Sequence, residues 1–143
     1  NQNTVYVHHT ILPGDIITCD LNDEEDSPNI VPTNMPLSIL YEDEAYLVIN
    51  KTAGIPVHPS MEHYTDSLSN GVRFYFDQIG LKKKIRPVNR LDKDTSGVVL
   101  FAKNEYIQEA FVKQMQNHFF QKEYIAIVSG KLEKNKRNYF FAD

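Results

Sequence analysis

A dense polar stretch followed at once by an apolar run dominates the middle of the chain. Residues 86–97 read RPVNRLDKDTSG and hold two arginines, a lysine, two aspartates, two hydroxyl side chains and a glycine. Residues 98–102 read VVLFA, a continuous apolar run bounded by Gly97 and Lys103, which predicts a buried strand. A polar loop carried by a buried strand can hold a reactive group in a fixed position.

Asp92 is the reactive candidate within this loop. Arg90 and Lys93 lie close to it in sequence. A carboxylate beside cations stays ionised and is available as a nucleophile or base. Asp, Thr, Ser and Gly are also ordinary turn formers, so the residues alone leave a plain surface turn open as the alternative.

Three segments of the chain resemble the RluA/RluD-type RNA pseudouridine synthases. RLDKDTSG at residues 90–97, followed by the apolar strand, resembles the signature of this family. NKTAGIPVHP at residues 50–59 resembles an upstream motif, and KEYIAIV at residues 122–128 resembles a downstream strand motif. The resemblance runs from Leu37 to Asp143, with Asn89 where the family usually has His and Thr52 where it usually has Pro.

The resemblance implies an enzyme that isomerises uridine to pseudouridine in ribosomal or transfer RNA, with large-subunit ribosomal RNA favoured. It assigns Asp92 as the catalytic carboxylate and places Tyr124 against the target base. The reaction needs no redox step and no phosphate energy, so no cofactor is expected. The side chains expected to contact RNA are Lys51, Arg86, Asn89, Arg90 and Lys93.

The same resemblance implies an α+β fold, with a mixed, largely antiparallel sheet flanked by helices. Family catalytic domains have a second half, which carries an arginine that pairs with the catalytic aspartate. No segment of the 143 residues matches that half, so we expect a fragment with little or no activity of its own. Family members are commonly monomers, and a cytoplasmic monomer is expected here.

The charges are segregated along the sequence. The first 44 residues contain nine Asp or Glu and no Lys or Arg, whereas the remaining 99 contain ten acids and all fifteen Lys or Arg. A polyanion such as RNA would meet the second part and avoid the first.

This segregation suggests a domain boundary. We predict that residues 1–26 end an S4-like RNA-binding domain, because LPGDII at residues 12–17 resembles the end of such domains. Residues 27–37, which contain Pro28, Pro32 and Pro36, are predicted to form an extended linker. Residues 38–143 are then the first part of the catalytic domain.

Several classes of site are disfavoured by the sequence. No apolar run of about eighteen residues is present, so no membrane span is expected, and the chain does not start with a signal-peptide pattern. The single Cys19 cannot form an internal disulfide and is expected to be a small core residue. No metal site is expected, because the adjacent His8 and His9 would point to opposite faces of a strand, while His58 and His63 have no cysteine nearby.

Periodicity predicts the secondary structure around the polar loop. Residues 37–41 and 46–50 are predicted to form a hairpin, and a helix capped by Thr65 or Asp66 should follow it. Asn104 should cap a second, amphipathic helix that covers the sheet. Residues 121–129 and a segment from residue 138 are predicted to be strands.

Two other functions remain open from the sequence. One is an RNA-binding module without catalysis, which would present the same basic surface. The other is a carboxylate-based hydrolase acting on free nucleosides, which would have no need of the charge segregation. Substitution of Asp92 separates the enzyme from the binding module, because only the enzyme would lose its product.

Overall fold

A four-stranded sheet with two helices forms the body of the protein. The computed structural model describes residue 8 and residues 10–18 and 27–130. The strand order is β1-β2-β4-β3, and every pair of neighbours among the described strands is antiparallel. This arrangement confirms the predicted α+β class. The elements are β1 Ile39–Glu42, β2 Tyr46–Lys51, α1 Leu68–Gln78, β3 Arg86–Pro87, β4 Gly97–Ala102 and α2 Glu105–Gln116.

Strands β1 and β2 form the predicted hairpin. Asp43 stabilises the connection because its Oδ1 accepts hydrogen bonds from the backbone N–H groups of Ala45 and Tyr46, both at 2.8 Å. Glu42 pairs with Leu47 at the start of the ladder. The turn therefore follows from one aspartate that bonds its own downstream backbone.

One face of the sheet packs against α1 and forms the core. Successive residues of a strand point to opposite faces, so Val99 and Phe101 of β4 face the same side as Leu47 and Ile49 of β2. All four side chains are buried. The core is completed by Val57, Leu68, Val72, Phe76 and Ile85.

Helix α2 covers only part of the opposite face. The Phe111 ring packs edge-on against Tyr46 with 5.4 Å between the ring centroids, and Tyr46 pairs with Ala102 at the far end of β4. Near the other end of the strand, Val98 is 48% exposed. The prediction of a buried strand is therefore correct for the face of β4 that packs against α1 and for Ala102 at the end of the strand. It is wrong for the opposite face near Gly97, where Val98 is exposed.

Both helices begin at polar caps. Asn104 caps α2 as predicted, and its side chain accepts a hydrogen bond from Ile107 N at 2.9 Å. Helix α1 begins one to two residues later than predicted, because Ser67 and Asn70 form a reciprocal capping box. Gly80, with a φ of +71°, follows the end of α1.

Residues 27–38 contain no helix or strand but are bonded along the domain surface. Ser27 Oγ accepts a hydrogen bond from Ile85 N at 3.0 Å, and Val31 O accepts one from Asn70 Nδ2 at 2.8 Å. Ile30 packs against the core. The segment predicted as a linker thus packs along α1, and we refer to residues 27–38 as the strap. The domain boundary near it stays a prediction.

Residues 12–15 form a hydrogen-bonded turn before the strap. Asp15 N donates to Leu12 O at 3.1 Å, while Leu12 N donates to the Asp15 carboxylate at 2.8 Å. Ile16 and Ile17 are exposed and lie outside any strand. The other features predicted for residues 1–7, 9, 19–26 and 131–143, including Cys19, lie outside the described residues. No helix within the described ranges is both long and apolar enough to cross a bilayer.

Candidate active site

The Asp92 loop connects two neighbouring antiparallel strands. Residues 88–96 link β3 to β4, and Val88 N donates to Leu100 O at 2.8 Å, which extends the pairing into the loop. Asn89 continues it with its side chain, since Oδ1 accepts from Leu100 N and Nδ2 donates to Val98 O, each at 2.9 Å. Both polar groups of Asn89 are thus engaged with β4, which gives this residue a structural function, and its predicted RNA contact stays a prediction.

Asp92 itself lies in a turn at the exposed end of the loop. Its carbonyl accepts a hydrogen bond from Thr95 N at 3.1 Å, and its side chain is exposed. Gly97 then leads into β4 with a φ of +139°, a conformation that a side chain would strain. The turn holds the Asp92 backbone while leaving its carboxylate accessible to a large substrate.

Lys51 lies beneath this loop and fastens it to its neighbour. The side chain is 1% exposed, although lysine is seldom buried. Its Nζ donates to the carbonyl oxygens of Thr52 at 3.0 Å, Ile55 at 2.8 Å and Lys93 at 2.9 Å. An ammonium has three donors, and all three are used. The structure therefore gives Lys51 a holding function within the fold, and its predicted RNA contact stays a prediction.

Charge around Lys51 links it to the loop aspartates. Burial lowers the pKa of Lys51, and the nearby carboxylates of Asp94 and Asp92 act in the opposite direction. The Lys51 ammonium is therefore close enough to both loop carboxylates to interact with them electrostatically.

Arg90 and Lys93 are the exposed cations of the site. Burial lowers the pKa of His58, and the nearby Arg90 guanidinium lowers it further. Arg90 is therefore close to the loop that begins at His58. The His63 hydrogen bond lowers the pKa of Asp66, and the Lys93 ammonium contributes to the same shift. The structure thus brings Arg90, Asp92 and Lys93 close to residues 58–66, a segment whose first two residues end the motif at residues 50–59.

Arg86 lies at the opposite end of β4. It pairs with Ala102, five residues along the strand from Gly97, a distance of about 16 Å. Its guanidinium is close to Gln108 Oε1 at 3.4 Å and Glu105 Oε2 at 3.9 Å. Arg86 is therefore separate from the Asp92 cluster, and its predicted RNA contact stays a prediction.

Tyr124 is also apart from the cluster. Residues 121–128 form no strand, Tyr124 is 63% exposed, and Ile125 and Ile127 are fully exposed. The predicted strand is wrong for this structure because a strand requires a hydrogen-bonded neighbour, and no described strand lies beside these residues. Within the described part of the chain, no hydrogen bond or ring contact links Tyr124 to the Asp92 loop.

The charged groups of the site are a carboxylate and the cations around it. Across residues 10–18 and 27–130, no three His, Cys, Asp or Glu side chains are positioned to share a metal ion. The loops present the accessible carboxylate of Asp92. It is flanked by the exposed cations Arg90 and Lys93, and its loop is supported by the buried Lys51. This combination suits a reaction on an anionic polymer.

Comparison with known proteins identifies the family. The model described as RNA pseudouridylate synthase matches residues 45–141. The chain therefore belongs to the RNA pseudouridylate synthase family, and the resemblance of the three motifs is confirmed. The matched range contains both the Asp92 loop and Lys51.

Individual relatives agree with this assignment. YhcT of Bacillus subtilis, described as an uncharacterized RNA pseudouridine synthase, is 35% identical over 136 residues, which are 95% of this chain and 45% of the relative. Ribosomal large subunit pseudouridine synthase D of Blochmanniella floridana is 34% identical over 94% of this chain and 43% of its own length. The chain thus spans less than half the length of these curated relatives.

A solved structure also aligns with part of the chain. Human RNA Pseudouridylate Synthase Domain Containing 4 matches with a TM-score of 0.47 and 25% sequence identity, covering 57% of this chain and 30% of the human one.

Proposed function

We propose that the protein isomerises uridine to pseudouridine in structured RNA, with Asp92 as the catalytic carboxylate. The observation that carries the proposal is the family match over residues 45–141, which includes the exposed Asp92 and the buried Lys51 that supports its loop. The reaction rearranges one nucleotide and consumes no other substrate.

The chemistry requires a carboxylate at an accessible position. The N1–C1′ bond of the uridine breaks, the uracil rotates, and a C5–C1′ bond forms. C5 loses its proton and N1 gains one, so the composition of the nucleotide is unchanged. Because the uridine must leave its helix to reach the enzyme, an exposed Asp92 on a stiff loop suits attack on an extruded nucleotide.

Arg90 and Lys93 are proposed to contact the RNA backbone on either side of the extruded nucleotide. Both are exposed, and both flank Asp92 in sequence. Electrostatic contacts of this kind supply much of the affinity of proteins for nucleic acids. Arg86, which pairs with β4 about 16 Å along the strand from Gly97, is proposed to contact a more distant phosphate.

Tyr124 is proposed to stack on the detached uracil. Its ring is 63% exposed, which leaves it available for a base. This function requires residues 121–128 to approach the Asp92 loop when RNA is bound.

The substrate proposed is large-subunit ribosomal RNA, with transfer RNA as the alternative. Several relatives carry the name ribosomal large subunit pseudouridine synthase D, and this name is the basis for the choice. A cytoplasmic monomer acting without a cofactor is proposed with it. The S4-like end at residues 1–26 and the catalytic part from residue 38 are kept as proposed domains.

The experiment is tritium release from large-subunit ribosomal RNA labelled at uridine C5, using the intact protein. Asp92→Asn should abolish release, while Asp94→Asn, a neighbouring exposed aspartate of the same turn, should retain most of it. Thermal unfolding shows whether each variant is folded. Release that survives in folded Asp92→Asn would refute the catalytic role, and no release by the parent on ribosomal or transfer RNA would point to a binding module.

A further inference from the structure

The chain forms a closed loop between residues 57 and 68, next to the Asp92 loop. Its ends are joined by Leu68 N donating to Pro56 O at 2.8 Å and by Ser69, whose N and Oγ donate to Val57 O at 3.0 and 2.7 Å. Ten residues, 58–67, lie between these joined ends. Compact loops with adjacent ends are frequently functional, and we refer to residues 58–67 as the Ω-loop.

Internal hydrogen bonds give the Ω-loop a defined shape. Ser60 and His63 exchange two backbone hydrogen bonds, at 3.2 and 3.1 Å. His63 Nδ1 lies 2.8 Å from Asp66 Oδ2, and Tyr64 O accepts a hydrogen bond from the buried Asn70 at 3.1 Å. The loop is thus organised before any partner binds, which lowers the entropic cost of binding.

The tip of the Ω-loop carries two large side chains that are mostly exposed. Met61 is fully exposed and Tyr64 is 58% exposed, although both belong to residue types that usually gain from burial. A core function is excluded by this exposure. A half-exposed tyrosine and a thioether on a stiff loop form a surface suited to a flat, partly apolar partner.

Three hydrogen bonds hold the segment just before the Ω-loop against the Asp92 loop. Gly54 N donates to Lys93 O at 2.9 Å, and Lys51 bonds both Ile55 O and Lys93 O, so the chain just before Val57 is held against the residue after Asp92. In agreement with this geometry, the pKa of Asp66 is lowered first by the His63 hydrogen bond and also by Lys93.

We propose that the Ω-loop, through Tyr64 and Met61, stacks on unpaired bases of the RNA that flank the uridine taken by Asp92. The inference rests on the proposed function and extends it to recognition of the neighbouring nucleotides. Extruding a nucleotide from a helix unstacks its neighbours, and aromatic side chains stabilise such bases by stacking. Glu62 at the tip disfavours phosphate there, while Arg90 and Lys93 on the adjacent loop favour it, so bases rather than backbone meet the Ω-loop.

The test measures RNA affinity in a background that cannot turn over. Tyr64→Ala, Tyr64→Phe and Tyr106→Ala are each introduced into the intact protein carrying Asp92→Asn, and filter binding to unmodified large-subunit ribosomal RNA is measured over a range of salt concentrations. Tyr106 is the matched control because it is 52% exposed on α2, beyond the Ala102 end of β4. Thermal unfolding checks that each variant is folded.

Tyr64→Ala should weaken binding about 5- to 150-fold, the range that the loss of one stacked base gives. Tyr64→Phe should bind as the parent does, because the ring is kept. The slope of log K against log salt should be unchanged in Tyr64→Ala, since stacking releases no counterions, whereas Lys93→Ala should reduce that slope by about one.

Other results would overturn the inference. Parent-like affinity in Tyr64→Ala, an equal loss in Tyr106→Ala, or no RNA binding by any variant would each do so. Failure of the proposed function is separate: absence of tritium release from the protein with Asp92 intact would refute isomerisation, while a selective loss in Tyr64→Ala would still support the Ω-loop as an RNA contact.

Discussion

The ammonium of Lys51 lies 2.9 Å from the carbonyl oxygen of Lys93, the residue that follows Asp92. The same carbonyl also accepts a hydrogen bond from Gly54 N at 2.9 Å. One carbonyl oxygen therefore joins the loop that follows β2 to the loop that carries the carboxylate. The position of the Asp92 loop thus depends on the buried Lys51.

Replacing Lys51 should impair both folding stability and catalysis. Lys51→Met keeps the aliphatic length but leaves the carbonyls of Thr52 and Ile55 without their donor. Hydrogen bonds from charged donors contribute about 1.5–3 kcal/mol each, so the free energy of unfolding should fall by at least about 2 kcal/mol. The measurement is urea unfolding together with tritium release, in which kcat should fall more than the RNA KM rises.

The matched control for Lys51 is Lys82→Met, which removes an exposed lysine after α1. It should leave the unfolding free energy within about 0.5 kcal/mol of the parent. Unchanged stability and kcat in Lys51→Met would show that its hydrogen bonds do not position the loop.

Asn89 offers a second test of how the loop is held. Asn89→Ala removes two hydrogen bonds to the backbone of β4 and should cost about 1–3 kcal/mol of unfolding free energy. Asn89→Asp keeps the acceptor for Leu100 N but sets a carboxylate against Val98 O, so it should also destabilise. Urea unfolding of both variants measures this effect, and parent-like stability in both would contradict it.

Local signals in the sequence predicted much of the fold. The β1–β2 hairpin, the Asn104 cap and the strand after the polar loop each depend on neighbouring residues, and all three are present. The position of Asp92 on an exposed loop was predictable for the same reason. The burial of Lys51 was also predictable from the sequence, because strand alternation places this residue on the inward face with Leu47 and Ile49.

The remaining features depend on contacts between distant residues. Lys51 lies 42 positions from Lys93, and Asn70 lies 39 positions from Val31. No local sequence pattern can therefore predict either hydrogen bond. The strap was predicted as a linker for this reason. Tyr124 shows the converse case, because an alternating pattern predicts a strand correctly only when a neighbouring strand pairs with it.

The Glu42 carboxylate should make stability depend on acid pH. Burial alone would raise the pKa of Glu42, but hydrogen bonds from Lys103 and Tyr75 lower it more, and the net direction is down. A carboxyl group with a lowered folded-state pKa stabilises the protein above its unfolded pKa of about 4.3, and this contribution is lost as the pH falls through the folded value. The unfolding free energy should therefore decrease below about pH 5.

Glu42→Gln separates this group from the other carboxylates. The variant should lose stability at pH 7, since the buried Lys103 would exchange its carboxylate partner for a neutral amide oxygen, and its decline toward acid pH should be shallower. Glu109→Gln is the control, because Glu109 and Lys113 form an exposed pair on α2. Equal pH profiles for the parent and Glu42→Gln, measured by urea unfolding, would refute the assignment.

Asn70 should couple the strap to the Ω-loop. Its Nδ2 donates to Val31 O at 2.8 Å and Tyr64 O at 3.1 Å, while its Oδ1 accepts from Ser67. Asn70→Asp is isosteric and keeps the acceptor but loses both donors, which leaves two carbonyls facing a carboxylate inside the fold. We expect a loss of about 2–4 kcal/mol in unfolding free energy and faster proteolysis within residues 27–38 and 58–67 together. Cleavage accelerated in one segment alone would show that Asn70 does not join them.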